Sequence, residues 1–329
     1  MIPALFDAHC DTISGLWARG EHLEQNSGHV DLNRAAIYPH YVQFFAAYTN
    51  IGAKPLADIT DDAARRQAIR ERLIEADAEV YDRFHALVQY FYQEVRRNHD
   101  RVIACRTIDD LDRARAEGKV AAILTVEEGA QLDMTVEEAY EIGVRAIALT
   151  WNYRNIIGGS NLSGGGLTEY GRGFVKKMQK LGILVDVSHS SEEVFYDVVK
   201  LAEKPFIASH SNSRTICQHP RNLTDEQFVA LCRAGGVAGF NFASHFVTPD
   251  GVSTLDDCVD HIEHFLSLGG ARHIAMGGDL DGISSAPDGI NGVQDVCKLA
   301  DAMAARGISV SQIEDIFYNN LYRVVKEAW

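Results

Sequence analysis

Short apolar runs alternating with amphipathic stretches constrain this chain more than any other feature of its sequence. The first run opens the stretch 5–12, and others follow at 41–48, 120–126, 146–150, 183–187, 206–209, 236–242 and 273–277, eight in all. Between and around them, 61–98, 136–143, 170–181, 192–201, 225–234, 255–268 and two C-terminal stretches carry helical patterning. Strands buried on both faces by helices lose the polar alternation of a half-exposed sheet, so uninterrupted runs of this length point to a parallel sheet. Eight such units predict an α/β fold, a (β/α)8 TIM barrel, with a helical insertion after the second strand; a doubly wound open sheet is the alternative. In the insertion, Ile69, Leu73, Ala76, Val80, Phe84, Leu87, Val88 and Phe91 form one apolar stripe, and Gly52 and Pro55 end the strand before it. No short repeat, low-complexity tract or Gly/Ser linker interrupts the pattern, so one domain over 1–329 is expected.

The functional signal lies where the runs stop. His9 and Asp11 end the first, Glu127 the third, His189 the fifth, His210 the sixth and Asp279 the eighth. Positions i and i+2 of a strand share a face, so His9 and Asp11 can close on one ion. In a barrel all strand C-termini meet at one mouth, where barrel active sites are built. Imidazoles and carboxylates without thiolates suit catalytic Zn²⁺ or a similar divalent ion. Three imidazoles and two carboxylates already exceed one open tetrahedral site and suit two metals sharing a carboxylate and a hydroxide. Glu128 and Asp281 rival Glu127 and Asp279 by position.

Composition excludes several classes. With 46% hydrophobic and 23% charged residues the chain reads as an ordinary globular protein, and a formal charge of −15 argues against a general phosphate-backbone binder. No apolar stretch approaches the ~20 residues needed to span a bilayer, and no basic leader precedes an apolar segment. A cytoplasmic protein with no nucleic-acid or membrane partner is expected, with a homodimer as the assembly to test. Six scattered cysteines without a C-x-x-C pair fit reduced thiols. The glycines at 158–159 and 164–166 lack the spacing of a dinucleotide loop, and Ser188-His189-Ser190 has no nucleophile elbow around it. His22, His29, His40, His85, His99, His261, His264 and His273 fall in loops or on helical faces and are expected to be solvated.

Taken in order, D-A-H-C-D at 7–11, V-E-E-G at 126–129, L-T-W-N at 149–152, D-V-S-H ending at His189, S-H-S at 209–211, H-P-R-N at 219–222 and G-G-D-L-D-G at 277–282 resemble the membrane (renal) dipeptidase family of the amidohydrolase superfamily, in a bacterial-type member. The resemblance spans nearly the whole chain and implies a (β/α)8 barrel with two zinc ions that hydrolyses dipeptides. It implies one ion on His9 and Asp11, the other on His189 and His210, with Glu127 bridging, Asp279 as the proton shuttle and Arg221 receiving the substrate carboxylate. Trp151 stands where well-known members carry a histidine that polarises the scissile carbonyl, and Asn152 is the substitute donor. Phe246 stands where the mammalian pattern has a tyrosine, leaving the substrate carboxylate to Arg221 alone or to His245; Glu128 replaces a glycine.

The expected activity is zinc-dependent hydrolysis of free dipeptides, including those with a C-terminal D-residue, by a hydroxide bridging two metals that lower the pKa of bound water toward ~7. Asp279 would carry the proton to the leaving amine. Hydrolysis of N-acyl amino acids or small lactams is the alternative kept open by Trp151 and Phe246. A non-catalytic binding barrel is the third reading, disfavoured by the complete ligand set.

Overall fold

The computed structural model describes residues 1–51, 56 and 59–329, so the turn assigned to Gly52 and Pro55 lies outside the described residues. Nine parallel strands are present among them: β1 (Leu5–Cys10), β2 (Tyr41–Tyr48), β3 (Val102–Ala104), β4 (Val120–Glu127), β5 (Val144–Ala148), β6 (Leu184–Asp186), β7 (Ile207–Ala208), β8 (Val237–Phe240) and β9 (Ile274–Met276). β1 pairs with both β2 and β9, β2 pairs with β4, and β4 to β9 follow in order, which closes an eight-stranded barrel. The open sheet is thereby ruled out. β3 stands outside the ring, pairing Val102 to Ala104 with Val120 to Ala122 before β5 takes over along β4 from Leu124 onward. Three residues carry no usable periodicity, which is why β3 escaped the sequence pattern.

Alternate strand residues fill the barrel: Phe6, Val42, Phe44, Ile123, Leu184 and Ile207 form one cluster with Leu321, Val324 and Val325 of the C-terminal helix Asn320–Ala328. That helix closes the barrel at its strand N-termini, where Tyr318 just before it meets the Phe6 and His40 rings, and leaves the opposite mouth free for chemistry. The larger apolar cluster fills the layer between barrel and helices. The outer helices start where side-chain chemistry dictates: Thr168, Ser191, Thr224 and Thr254 each accept a first-turn backbone N–H of the helix that follows.

The insertion after β2 is helical but broken. Asp62–Glu71 ends at the extended Arg72, and Asp77 caps a new helix, Ala78–Arg97. Only the second helix buries its stripe, through Phe84, Leu87, Val88 and Phe91; Leu73 is exposed. Two histidines expected in solvent are buried instead. His261 accepts from the Ser213 N–H at Nδ1 and lies 2.9 Å from the Val247 carbonyl at Nε2, while His40 packs on Tyr318 beneath the barrel. His261 sits on the buried face of the helix Leu255–Ser267, where those backbone partners satisfy it, whereas His40 lies in the turn before β2 and its Nε2 has no hydrogen-bond partner among the described residues.

Candidate metal centre and active-site cleft

Strand-to-helix corners at the barrel mouth carry the polar residues of the sequence pattern. β1 ends at Cys10, and Asp11 lies past it at the start of the helix Thr12–Arg19. The i, i+2 strand relation therefore does not pair His9 with Asp11; the corner does, bringing His9 Nε2 to 3.6 Å from Asp11 Oδ2. His9 Nε2 also lies 3.8 Å from Asp279 Oδ1 and 3.9 Å from Glu127 Oε1. On the other side of Glu127 Oε1 stand His189 Nε2 at 3.0 Å and His210 Nε2 at 3.7 Å, with the two imidazole nitrogens 3.0 Å apart. One carboxylate oxygen thus faces three imidazoles from three strand ends.

Hydrogen bonds at the far side of these rings fix which nitrogen is free. Asn152 Oδ1 lies 2.9 Å from His189 Nδ1, and an amide oxygen can only accept, so Nδ1 carries the proton. Ser209 Oγ spends its proton on Asp186 Oδ2 at 2.5 Å and accepts from His210 Nδ1 at 2.7 Å. Both Nε2 lone pairs are then bare and face each other, an arrangement that two hydrogen-bonding groups cannot satisfy and a cation can. His9 Nε2 and Asp11 Oδ1 are buried without any partner, which points the same way. Three groupings of three ligand atoms, each set within 4.8 Å, meet the distance needs of a metal: His9, Asp11 and Glu127; Glu127, His189 and His210; and His9, His210 and Asp279.

Electrostatics agrees with the geometry. Burial holds His189 and His210 well below the usual imidazole range, and the positive charges of Arg221 and His9 add to this, so both stay in the neutral ligand form. Burial works downward on His9 too, but the carboxylates of Asp11, Glu127 and Asp279 overcome it and drive it up to about 10. Burial first, then Asp11 and Asp279, raises Glu127. Acids crowded into a dry site call for added positive charge.

The backbone is shaped for this convergence. Glu128 (φ 85°), His189 (φ 67°), Asp279 (φ 57°) and Asp281 (φ 69°) all adopt left-handed conformations at strand ends, costly for residues other than glycine and concentrated where side chains must be re-aimed. Gly282 is required by close approach: a Cβ there would collide with Asp11 Oδ2 and Asp279 Oδ1. Two buried aspartates, contained in the D-A-H-C-D and D-V-S-H motifs but given no role there, brace the ligand-bearing ends. Asp7 accepts from the backbone N–H groups of His9 and Gly278, and Asp186 from those of Ser188 and Ser209. Each lies in a strand ahead of a histidine, in D-x-H and D-x-x-H, a spacing that could have flagged them.

The rival carboxylates separate here. Glu128 turns away from the imidazoles, receiving the Trp151 N–H at 2.8 Å and the Asn155 side-chain amide, and burial raises its pKa to about 7. Asp281 is tied to Thr12 Oγ1 at 2.7 Å and the His29 N–H at 2.6 Å. Asp279 keeps Oδ1 toward His9 and receives Asn241 Nδ2 at 2.9 Å on Oδ2; burial raises it to about 6 against the pull of His9. Asn241 lies just past β8, a strand end that ligand-type residues alone did not single out.

Arg221 is 5% exposed, with Ser211 Oγ and the His210 carbonyl at 3.4 Å and its Nε without a partner. Its guanidinium carbon sits 5.4 Å from the Phe246 ring centre, and among the described residues it forms no ion pair. Asp225 is engaged by Thr215 and His264 instead. Burial lowers Arg221 to about 10, with Asp279 and Glu127 opposing. Above the cluster opens a cleft of about 370 Å³ lined by Asp11, Glu127, His189 and Asp279 on its floor and by Tyr48, Trp151, Asn152, His245, Phe246 and Ile283 on its walls.

The profile of the membrane dipeptidase family (peptidase family M19) matches residues 3–329. An uncharacterised protein encoded in the pqqA 5′ region of Klebsiella pneumoniae is 32% identical over 72% of this chain and 93% of its own length. An uncharacterised dipeptidase of Schizosaccharomyces pombe is 34% identical over 67% of this chain, which spans 56% of the yeast protein. Among solved structures, a metallopeptidase from Rhodobacter sphaeroides liganded with a phosphinate mimic of the dipeptide L-Ala-D-Ala superposes with a TM-score of 0.87 at 27% identity, with 100% of each chain covered. The M19 metallopeptidase called dipeptidase AC gives 0.86 at 26% identity, covering 100% of this chain and 99% of its own.

Proposed function

Because the chain belongs to the membrane dipeptidase family, peptidase family M19, and is a metallo-dipeptidase by that membership, we propose that it cleaves free dipeptides with two divalent ions, zinc by choice, held at the barrel mouth. The observation that carries this reading is the convergence of the His189, His210 and His9 Nε2 atoms on Glu127 Oε1, with the outer ring nitrogens of His189 and His210 already committed. His9 and Asp11 would hold one ion and His189 and His210 the other, with Glu127 shared. Such ions, when bound, supply Lewis acidity at the scissile carbonyl and a water that is nucleophilic at neutral pH.

The remaining chemistry belongs to the chain. Asp279, raised toward neutrality, accepts the proton of the attacking water and returns it to the amide nitrogen as the C–N bond breaks, so the amine leaves neutral. Asn241 holds Asp279 by Oδ2 and keeps Oδ1 aimed at the reacting side. Arg221, buried and without a carboxylate partner, receives the substrate's C-terminal carboxylate. Asn152 orients His189 through Oδ1, and its side-chain NH₂ remains for the substrate carbonyl. The phosphinate of an L-Ala-D-Ala mimic in the Rhodobacter neighbour supports including dipeptides with a C-terminal D-residue.

The test is a panel of L,L- and L,D-dipeptides, their C-terminal amides and N-acetyl amino acids, assayed with zinc-loaded protein. Turnover confined to free dipeptides is expected. Preferential cleavage of N-acetyl amino acids would move the assignment to the alternative amidohydrolase chemistry.

A further inference from the structure

The aromatic wall of the cleft is built with more care than a passive boundary needs. Trp151 packs against Tyr48 at 5.2 Å between ring centres and against Tyr153 at 5.3 Å in an edge-on geometry, and its ring reaches to 6.1 Å from that of His189. Tyr48 and Trp151 both line the cleft, and burial, then the charges of Glu127 and Asp11, push the Tyr48 phenol well up. The wall therefore shares one cleft with Asp11, Glu127, His189 and Asp279.

Trp151 is also fastened from beneath. Its backbone N–H donates to Glu128 Oε2 at 2.8 Å, and the other Glu128 oxygen takes the amide of Asn155, which is itself fully buried and whose Oδ1 receives the Ile157 and Gly158 N–H groups. A buried carboxylate in a left-handed backbone conformation, with both oxygens spent on one loop, fixes where that loop sets its indole. Phe246 and Ile283 add apolar surface to the lining of the same cleft, whose carboxylates are Asp11, Glu127, Asp279 and Asp281. A cleft lined by Trp151, Tyr48, Phe246 and Ile283 offers apolar surface to a flat or bulky apolar side chain.

Resting on the dipeptidase reading, we propose that Trp151, seated by Glu128 against Tyr48, is the residue that selects the substrate's side chain, and that the preferred substrates are dipeptides bearing one aromatic or large apolar residue. Such a side chain gains both buried area and offset ring contact with Trp151, while glycine gains neither.

The experiment compares kcat/KM of the zinc-loaded wild type with that of Trp151→Ala and Trp151→Leu on Gly-Gly, Ala-Ala, Phe-Ala and Ala-Phe. The wild type is expected to favour one of the two phenylalanine dipeptides over Gly-Gly, and Trp151→Ala to shrink that preference roughly 10- to 100-fold through loss on the phenylalanine substrate, with Gly-Gly changed only a few-fold. Trp151→Leu, which retains apolar volume in this half-buried setting, is expected to fall in between. A wild type without preference, or a phenylalanine-to-glycine ratio that survives in both variants while turnover continues, overturns the inference and leaves the dipeptidase reading standing. Absence of turnover on every dipeptide overturns both.

Discussion

Replacing Asp279 by Asn separates a proton carrier from a structural acid. The substitution conserves volume, and the new amide oxygen can keep the 2.9 Å contact with Asn241 Nδ2, which leaves the amide NH₂ facing the side now occupied by Oδ1, 3.8 Å from His9 Nε2. An acceptor able to take a proton is thereby exchanged for a donor that cannot. General acid–base groups contribute about 10²- to 10⁴-fold, so kcat and kcat/KM are expected to fall together by that factor, a barrier increase of about 3–5 kcal/mol. Asp281→Asn provides the contrast. Its two charge-assisted bonds, from Thr12 Oγ1 and the His29 N–H, tie the opening helix and the loop after it to the last strand, so the loss should appear as destabilisation. Each such bond is worth about 1.5–3 kcal/mol, and kcat should change less than about tenfold. Steady-state kinetics at equal metal content, with denaturant unfolding of both variants, reads out the two effects. A loss under about tenfold for Asp279→Asn, with Asp281→Asn doing the greater kinetic damage, would transfer the proton role to Asp281.

Metal analysis of protein incubated with excess Zn²⁺ should approach two ions per chain, and His189→Ala or His210→Ala should empty mainly one site; full occupancy and activity in either variant contradicts the ligand assignment. Arg221→Ala is expected to erase the preference for free dipeptides over their C-terminal amides, by roughly one to two decades in kcat/KM, since a charged hydrogen-bonded contact is worth about 1.5–3 kcal/mol. An unchanged acid-to-amide ratio removes Arg221 from substrate binding. Burial pushes Glu128 up to about 7 from an ordinary 4.5, so between those values the folded chain holds a proton that the unfolded chain has released, and the stability tied to this group falls as pH rises from 4.5 through 7. Glu128→Gln should therefore gain stability relative to wild type between pH 5 and pH 8, by up to about 3 kcal/mol, and a pH-independent difference in unfolding free energy would refute the shift.

The sequence by itself determined the architecture and the chemistry's raw material. Eight apolar runs separated by helical stretches admit few arrangements once both faces of every strand must be covered, and the positions of His9, Glu127, His189, His210 and Asp279 at the ends of those runs placed them at one mouth as soon as the barrel was assumed. Even the aspects it missed were local in part: Asp7 and Asp186 stand in plain view ahead of His9 and His189. What it could not decide was which of two adjacent or near-adjacent acids faces inward. Periodicity ends where the strand ends, and beyond that point Glu128, Asp279 and Asp281 take left-handed backbone conformations that no alternation rule describes. In the folded barrel those acids take partners distant in sequence: Asn155 and Trp151 draw Glu128 away, Thr12 and His29 hold Asp281, and Asn241 steadies Asp279. Tertiary structure also merged Asp11 into the cluster by a corner rather than a strand and put Trp151 beside Tyr48, because a side chain's direction past a strand end is set by whichever buried polar group must find its hydrogen bond there, and those groups come together only when the barrel closes.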